Sequence, residues 1–320
     1  MDREQLEKNQ IFVYFVAVIV AAVGGLIAPN ASQALSAMVT PAIAALMYAM
    51  FLQIPFLDLR DGLANKRFMT ALLTANFVAI PLLVWALTMG LTDHPAILVG
   101  ALLVLLTPCI DYVVVFTHIG KGDSKLILAA TPLLLLLQLM LLPLYLVFML
   151  GNDSAVVISI GPFVEAFVVL IALPLVLAVA TAAGAKRSRV VEGWNNAWAW
   201  MPVPAMAAVL VVVIGSQISA VVRDMDKLLP VIPVYIGFML LAPLVGALVA
   251  RAFKLPASTA RSVAFSSSTR NSLVVLPLAL ALPEEIRGLA AAAVITQTLI
   301  ELVSELIYIR AIPALIWRKN

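Results

Sequence analysis

Charge is scarce in this 320-residue sequence. Lys, Arg, Asp and Glu together make up 12% of it, against about 25% in an average soluble domain, and no long polar segment stands between the hydrophobic runs. An appended soluble catalytic domain is therefore not expected. There is one cysteine, so no internal disulfide can form, and the redox compartment is not readable from cysteine usage. The two histidines, His94 and His118, fall at the ends of hydrophobic runs and suggest no metal role. No phosphate-binding glycine loop, zinc motif or nucleophile elbow is present. ATP-driven work would thus need a separate subunit, and no acid, base and nucleophile stand at a recognisable spacing. The first apolar run, from Ile11, has no small-residue cleavage site and is too long for a signal peptide, so it reads as a retained span. The net charge of +3 implies no nucleic-acid partner, because the basic residues lie in short loops.

What is abundant is apolar surface: 63% of residues are hydrophobic. A membrane-spanning helix needs about 20 such residues. Ten runs qualify, at 11–28, 34–57, 68–90, 95–119, 126–149, 160–183, 196–216, 229–250, 257–282 and 288–309. The expected fold is an all-α polytopic membrane protein. With a cytoplasmic N-terminus, nearly every Lys and Arg falls on the cytoplasmic side, and only Arg223, Lys227 and Arg287 fall outside. That bias predicts two cytoplasmic termini in a cell membrane. Trp194, Trp198 and Trp200, at the start of the seventh run, read as an interfacial aromatic belt.

Ten spans divide into two five-helix repeats, 1–150 and 151–320, and an odd number per half makes the repeats inverted. Pro95 opens span four and Pro256 opens span nine, 161 residues later; the same offset sets Cys109 opposite Arg270 and Ile110 opposite Asn271. In span four, Thr107-Pro108-Cys109-Ile110-Asp111 breaks the helix, since Pro108 removes a donor and crowds the preceding turn. In span nine, Ser266 to Thr269 followed by Arg270 and Asn271 is the polar midpoint, and its hydroxyls can serve carbonyls freed by a break. Helices four and nine are therefore expected broken and crossing at mid-membrane. New half-helices would begin near Ile110 and Asn271, with their positive ends facing each other. Such a site suits an oxyanion or a polar neutral solute.

Ionisable groups at membrane depth are candidate functional groups. Cys109, Asp111, Ser268, Thr269, Arg270 and Asn271 form the expected substrate site. Arg270 needs a partner, and Asp111 is the candidate, as a switch or as a static pair. Cys109 is either packing or a soft-ligand thiol. Asp111, Glu301 and Glu305 are candidates for ion or proton coupling. Glu301 and Glu305 share one helical face, with Glu305 expected nearer the cytoplasmic surface and solvated. Gln297 precedes them by one turn, and Gln138 holds a roughly matching place in the first half. Asn76, Gln53 and Gln217 read as interhelical glue.

Together, ten spans, inverted halves and broken fourth and ninth helices resemble the bile acid/arsenite/riboflavin transporter superfamily over the whole chain. Thr107-Pro108-Cys109 resembles the fourth-span cysteine motif of its arsenite efflux permeases, Arg270-Asn271-Ser272-Leu273 their ninth-span motif, and Glu301 their tenth-span glutamate. The resemblance implies that Cys109 contacts trivalent arsenic transiently and that Glu301 takes part in proton exchange. It also implies a scaffold of spans four and nine against which a panel of other spans rocks. The sodium-coupled branch has an acidic residue just before its ninth-span Gln-Asn pair, where this chain has Ser266 to Thr269 with the cation Arg270 before Asn271, which favours protons over sodium. The expected activity is secondary export of arsenite or a related trivalent metalloid, driven by the membrane potential or by inward protons, with no cofactor and with the lipid bilayer and a small solute as partners. A homodimer is compatible with this reading. The alternatives are an organic-anion symporter using Arg270 and the half-helix ends, and a non-transporting membrane sensor.

Overall fold

The structure is a computed structural model that describes residues 9–28, 34–53, 65–110, 112–150, 165 and 168–316. In chain order the helices used below are α1 Gln10–Ile27, α2 Val39–Leu52, α3 Lys66–Thr74, α4 Ile80–Thr88, α5 Pro95–Leu105, α6 Val113–Ile119 and α7 Ser124–Leu150. They continue as α8 Leu173–Ala185, α9 Arg189–Trp198, α10 Pro202–Arg223, α11 Ile232–Ala252, α12 Ala257–Ser268, α13 Ser272–Leu280 and α14 Glu284–Leu315. Among the described residues six helical stretches are long and apolar enough to cross a membrane, or seven with α7, which bends by 48°. The bend falls where the ring of Pro143 meets the carbonyl four residues earlier. This is an all-α, multi-pass integral membrane protein. The other expected spans are α1, a shorter apolar helix, and two helices interrupted in the middle: α5 with α6, and α12 with α13. Span seven begins at Pro202 rather than at 196, and Trp194 and Trp198 belong to the separate short helix α9.

The chain forms two compact units, and each takes residues from both 1–150 and 151–320. The first unit comprises residues 1–56 and 159–225. In it α10 packs on α1 and α2, and α8 packs on α2. A Cβ at Gly25 would stand 2.5 Å from the Gly215 carbonyl oxygen, so only glycine lets α1 and α10 come this close. The Ser219 hydroxyl donates to the Gly25 carbonyl at 2.8 Å across the same contact. Helix α9 lays Trp198 edge-on against Tyr48, with centroids 4.8 Å apart, and the Trp194 indole N–H donates to the Tyr48 hydroxyl at 3.0 Å.

The second unit comprises residues 57–158 and 226–320. Here α14 packs along α5 and α13, and α11 along α12. Small residues set the spacing: a Cβ at Gly100 would lie 2.5 Å from the Ala290 carbonyl oxygen, and one at Gly246 would lie 2.8 Å from Ala264 Cα. Proline is frequent in these helices, and each interior proline deprives the carbonyl four residues earlier of its N–H donor. Hydroxyl groups replace several of those donors. Tyr145 donates to the Phe77 carbonyl, four residues before Pro81, at 2.7 Å. At the end of α5, where Pro108 follows in the unwound segment, Thr107 donates to the Val104 carbonyl at 3.1 Å. Thr131 donates to the Leu128 carbonyl, before Pro132, at 2.8 Å. Tyr308 donates to the Met239 carbonyl, before Pro243. Without water in the hydrocarbon core, these side chains keep proline-containing helices tolerable.

This arrangement predicts a thermodynamic coupling. Tyr145→Phe should destabilise the purified protein by about 1–3 kcal/mol, the cost of leaving a buried acceptor unmade. In a Pro81→Ala background, where position 81 can donate to Phe77 itself, the same substitution should cost less. Thermal unfolding of the four variants of this cycle in detergent reads the difference; equal costs in the two backgrounds would refute the compensation.

Candidate functional site

Two unwound segments in the second unit meet. One lies between the end of α5 at Leu105 and the start of α6 at Val113; the other lies between the end of α12 at Ser268 and the start of α13 at Ser272. They run antiparallel as an isolated bridge between Pro108 and Arg270. The Cys109 N–H donates to the Thr269 carbonyl at 3.0 Å, and the Asn271 N–H donates to the Thr107 carbonyl at 2.9 Å. The bridge pairs Pro108, not Cys109, with Arg270, so the segments sit one residue out of the register expected from the matching prolines. Asn271 caps α13, its side-chain oxygen accepting from the Val274 N–H at 3.3 Å, and this places the new helix where the sequence predicted one. The first new helix starts at Val113, a few residues later than expected.

Arg270 is the largest fully buried side chain of the described residues. Its Nη2 donates to the Ser266 carbonyl at 2.5 Å and to Asn76 Oδ1 at 3.0 Å, and its Nη1 approaches the Leu105 carbonyl at 3.4 Å. Its guanidinium carbon lies 5.5 Å from the centre of the Phe238 ring. Ser266 and Leu105 lie in the last turns of α12 and α5, where the helix dipole is negative and carbonyls lack partners. The cation thus serves the two helix ends that stop at the crossing, not the two that start there. Asn76 fixes it from a π-helical turn at 75–79, donating in addition to Ser266 Oγ at 3.0 Å. Asp111, the expected partner of Arg270, lies outside the described residues.

Two of the hydroxyls beside Arg270 point back into their own helix. Ser267 and Ser268 donate to the carbonyls of Val263 and Ala264, at 2.8 and 2.9 Å. Ser268 is therefore spent on backbone rather than offered to a solute. Thr269 Oγ1 contacts both the Phe265 carbonyl, at 2.7 Å, and Glu305 Oε1, at 2.6 Å. Cys109 is fully buried in the first segment.

Helix α14 supplies two carboxylates to the crossing, and both are fully buried. Glu301 accepts from the Tyr112 hydroxyl at 2.5 Å, from the Arg270 backbone N–H at 2.9 Å and from the Gln297 amide. The Tyr112 hydroxyl also reaches the Arg270 carbonyl at 3.1 Å. Glu305 is bound by Thr269, which corrects the expectation that it is solvated. The reason is helix length. α14 runs for 32 residues, to Leu315, or about 48 Å at 1.5 Å per residue. Glu301 then falls at its midpoint and Glu305 only one turn beyond.

Among the described residues several buried polar atoms have no hydrogen-bond partner: at this junction Glu305 Oε2, Gln297 Oε1, Asn271 Nδ2, Ser272 Oγ and Arg270 Nε, and in α7 both amide atoms of Gln138. Native interiors leave few such atoms. Among the described residues no three His, Cys, Asp or Glu side chains cluster as a metal site. Tyr112 was not foreseen from the sequence. Its signal was its place in the break, next to a helix start. The contact of Asn76 with Arg270 had no sequence signal beyond a lone amide in an apolar span.

A multi-pass membrane protein whose interrupted helices meet over buried carboxylates is a membrane transporter by class. The sequence signature of the sodium bile acid symporter family matches residues 40–224, more than half of the chain. The chain belongs to that family. No curated protein shows significant similarity to it.

The arrangement around Arg270 makes a prediction. Asn76→Leu should remove the only side-chain oxygen that accepts from the guanidinium among the described residues. It should destabilise the protein by about 1–3 kcal/mol, seen as a lower unfolding temperature. Arg270→Met should cost more than that, because it leaves the Ser266 and Leu105 carbonyls and Asn76 Oδ1 without their donor together. A loss no greater than that of Asn76→Leu would show that the guanidinium does no more than offset its own burial.

Proposed function

We propose that the chain is a secondary active carrier of the cell membrane, with ten crossings in two inverted repeats. Its coupling group is the Glu301–Glu305 pair, and its cargo is a trivalent metalloid such as arsenite, held transiently by Cys109. The observation that carries the reading is the fastening of two buried carboxylates of one helix to the unwound segments. A proton or cation bound there acts directly on the segments that hold Cys109. Glu301 is surrounded by three donors and fits a standing anchor. Glu305 has, among the described residues, one donor and one oxygen without a partner, and fits the group that changes state.

The Thr269 hydroxyl supports this division of roles. It has one hydrogen and two acceptors within reach, the Phe265 carbonyl and Glu305. With Glu305 protonated, the carboxyl O–H donates to Thr269, which donates onward to Phe265. With Glu305 ionised, Thr269 turns its hydrogen to the carboxylate and leaves the Phe265 carbonyl to the backbone N–H of residue 269. Proton gain and loss at Glu305 thereby change a hydrogen bond inside the second unwound segment. Protons in this role rather than sodium, cytoplasmic termini and export rather than uptake are parts of the same proposal.

A second reading is an organic-anion symporter, the substrate class in the family's description. It is favoured by Asn271 Nδ2 and Ser272 Oγ, a buried donor and a hydroxyl without partners at the start of α13, where an anion's oxygens are well received. Asp111 would belong to either cargo site.

The test is radiolabelled arsenite uptake into everted vesicles, with pH and sodium gradients imposed separately, beside taurocholate uptake in reconstituted proteoliposomes. Arsenite flux driven by the pH gradient is expected. Cys109→Ser should lower it at least tenfold, and Glu305→Gln should abolish its dependence on the gradient while leaving downhill flux. Sodium-driven taurocholate flux that survives Cys109→Ser would replace the first reading by the second. No flux of either solute would favour the sensor.

A further inference from the structure

Away from the crossing, the second unit has a cavity of about 1510 Å³ where α6 and α11 end, α12 begins and α14 ends. This exceeds the usual ~300–1,000 Å³ of a small-molecule pocket. Its polar lining is basic: Lys121, Arg251, Lys254 and Arg261 line it, together with the first turn of α12, and no carboxylate does among the described residues. The nearby Asp123 is turned to its own helix, where its side chain accepts from the Leu126 N–H at 3.2 Å. The remaining wall is apolar and includes Leu244, Leu248 and Leu315, which are 41%, 65% and 46% exposed. Those side chains continue the lipid-facing surface of the helices.

Arg261 is held in place by the ends of two other elements. Its Nε and Nη2 donate to the Ile316 carbonyl at 3.2 and 3.0 Å, and its Nη1 donates to the Lys121 carbonyl at 3.2 Å. The two lysines have left-handed backbone conformations, with φ of 58° at Lys121 and 50° at Lys254. Each follows the end of a helix, at a position where glycine is the unstrained choice. The first turn of α12 adds backbone N–H groups and the positive end of a 12-residue helix. The crossing is at the other end of α12, about 18 Å away at 1.5 Å per residue.

We propose that this cavity binds an anionic phospholipid, with the headgroup phosphate among Lys121, Arg251, Lys254 and Arg261 and an acyl chain along Leu244 and Leu248. A fixed arginine, three further cations and a helix start match a phosphate. The exposed leucines match the chain, which a soluble phosphate lacks. Basic pockets between the ends of membrane helices bind anionic lipids on these grounds.

The test uses the purified full-length chain in detergent micelles, titrated with phosphatidylglycerol, phosphatidylcholine or glycerol 3-phosphate, and read by unfolding temperature. Phosphatidylglycerol should raise it by several degrees, and the other two should not. The Arg251→Gln/Lys254→Gly double variant should unfold at or near the wild-type temperature in phosphatidylcholine, since glycine relieves the left-handed strain. It should lose at least half of the rise with phosphatidylglycerol. The single variant Lys254→Gly should give a partial loss, and Arg223→Gln/Lys227→Gln, at residues that do not line the cavity, should keep the full response. An undiminished rise in the double variant overturns the site. Equal stabilisation by glycerol 3-phosphate means a soluble-anion pocket, and equal stabilisation by phosphatidylcholine means unspecific lipid solvation; either result overturns the proposal.

Discussion

Two backbone hydrogen bonds, from Cys109 to Thr269 and from Asn271 to Thr107, hold the second unit's centre together. Each unwound segment would on its own expose peptide groups that lipid cannot satisfy. Pairing them pays part of that cost on both sides at once. Exchanging Thr107 with Thr269, and Cys109 with Asn271, turns one of the two bonds into the other. That local two-fold relation is what a pair of inverted repeats would produce at their meeting point, and it fixes which side chains face the junction.

Arg270 follows from the same accounting. Two helices stopping at one place bring two sets of unpaired carbonyls together, and their dipoles are both negative there. A guanidinium has five donors in a rigid fork, so one side chain can serve the Ser266 carbonyl, the Leu105 carbonyl and Asn76. The hydroxyls beside the prolines do the same work elsewhere, one carbonyl at a time. The polar residues of the apolar spans therefore fall into two groups. Asn76, Thr107, Thr131, Tyr145, Ser267 and Arg270 repair the backbone. Among the described residues Glu305, Gln297, Asn271, Ser272 and Gln138 keep buried atoms without a protein partner, as Arg270 itself does at Nε, and these are the side chains with capacity left for a solute or an ion.

The break in span four was legible because proline acts on its own helix, by rules that need no knowledge of the fold. The start of α13 was legible for a similar reason: asparagine caps locally. The partners of Arg270 were not legible. They are carbonyl oxygens, which every residue carries, and only the meeting of α5 with α12 selects Leu105 and Ser266. The register of the crossing depends on which amide meets which carbonyl, and a matching pair of prolines left it uncertain by one residue. Glu305 was misplaced because hydropathy marks the apolar part of a helix and not its end: Arg310 interrupts the apolar pattern, yet α14 continues to Leu315.

The division of labour between helices bears on how coupling can work. The crossing is tied by backbone bonds, and Arg270 binds the ends of both arrested helices, so the junction resists any change that would separate its segments. A coupling group placed within the backbone pairing itself would have to break it. Glu301 and Glu305 instead reach it from α14, through side-chain contacts with Tyr112, Thr269 and the Arg270 N–H. One hydroxyl hydrogen on Thr269 can move between two acceptors without disturbing the bonds of Cys109 and Asn271. On the proposed reading, a change of charge on α14 alters the surroundings of the cargo site while the crossing stays closed, which is the behaviour a carrier requires of a part that does not move.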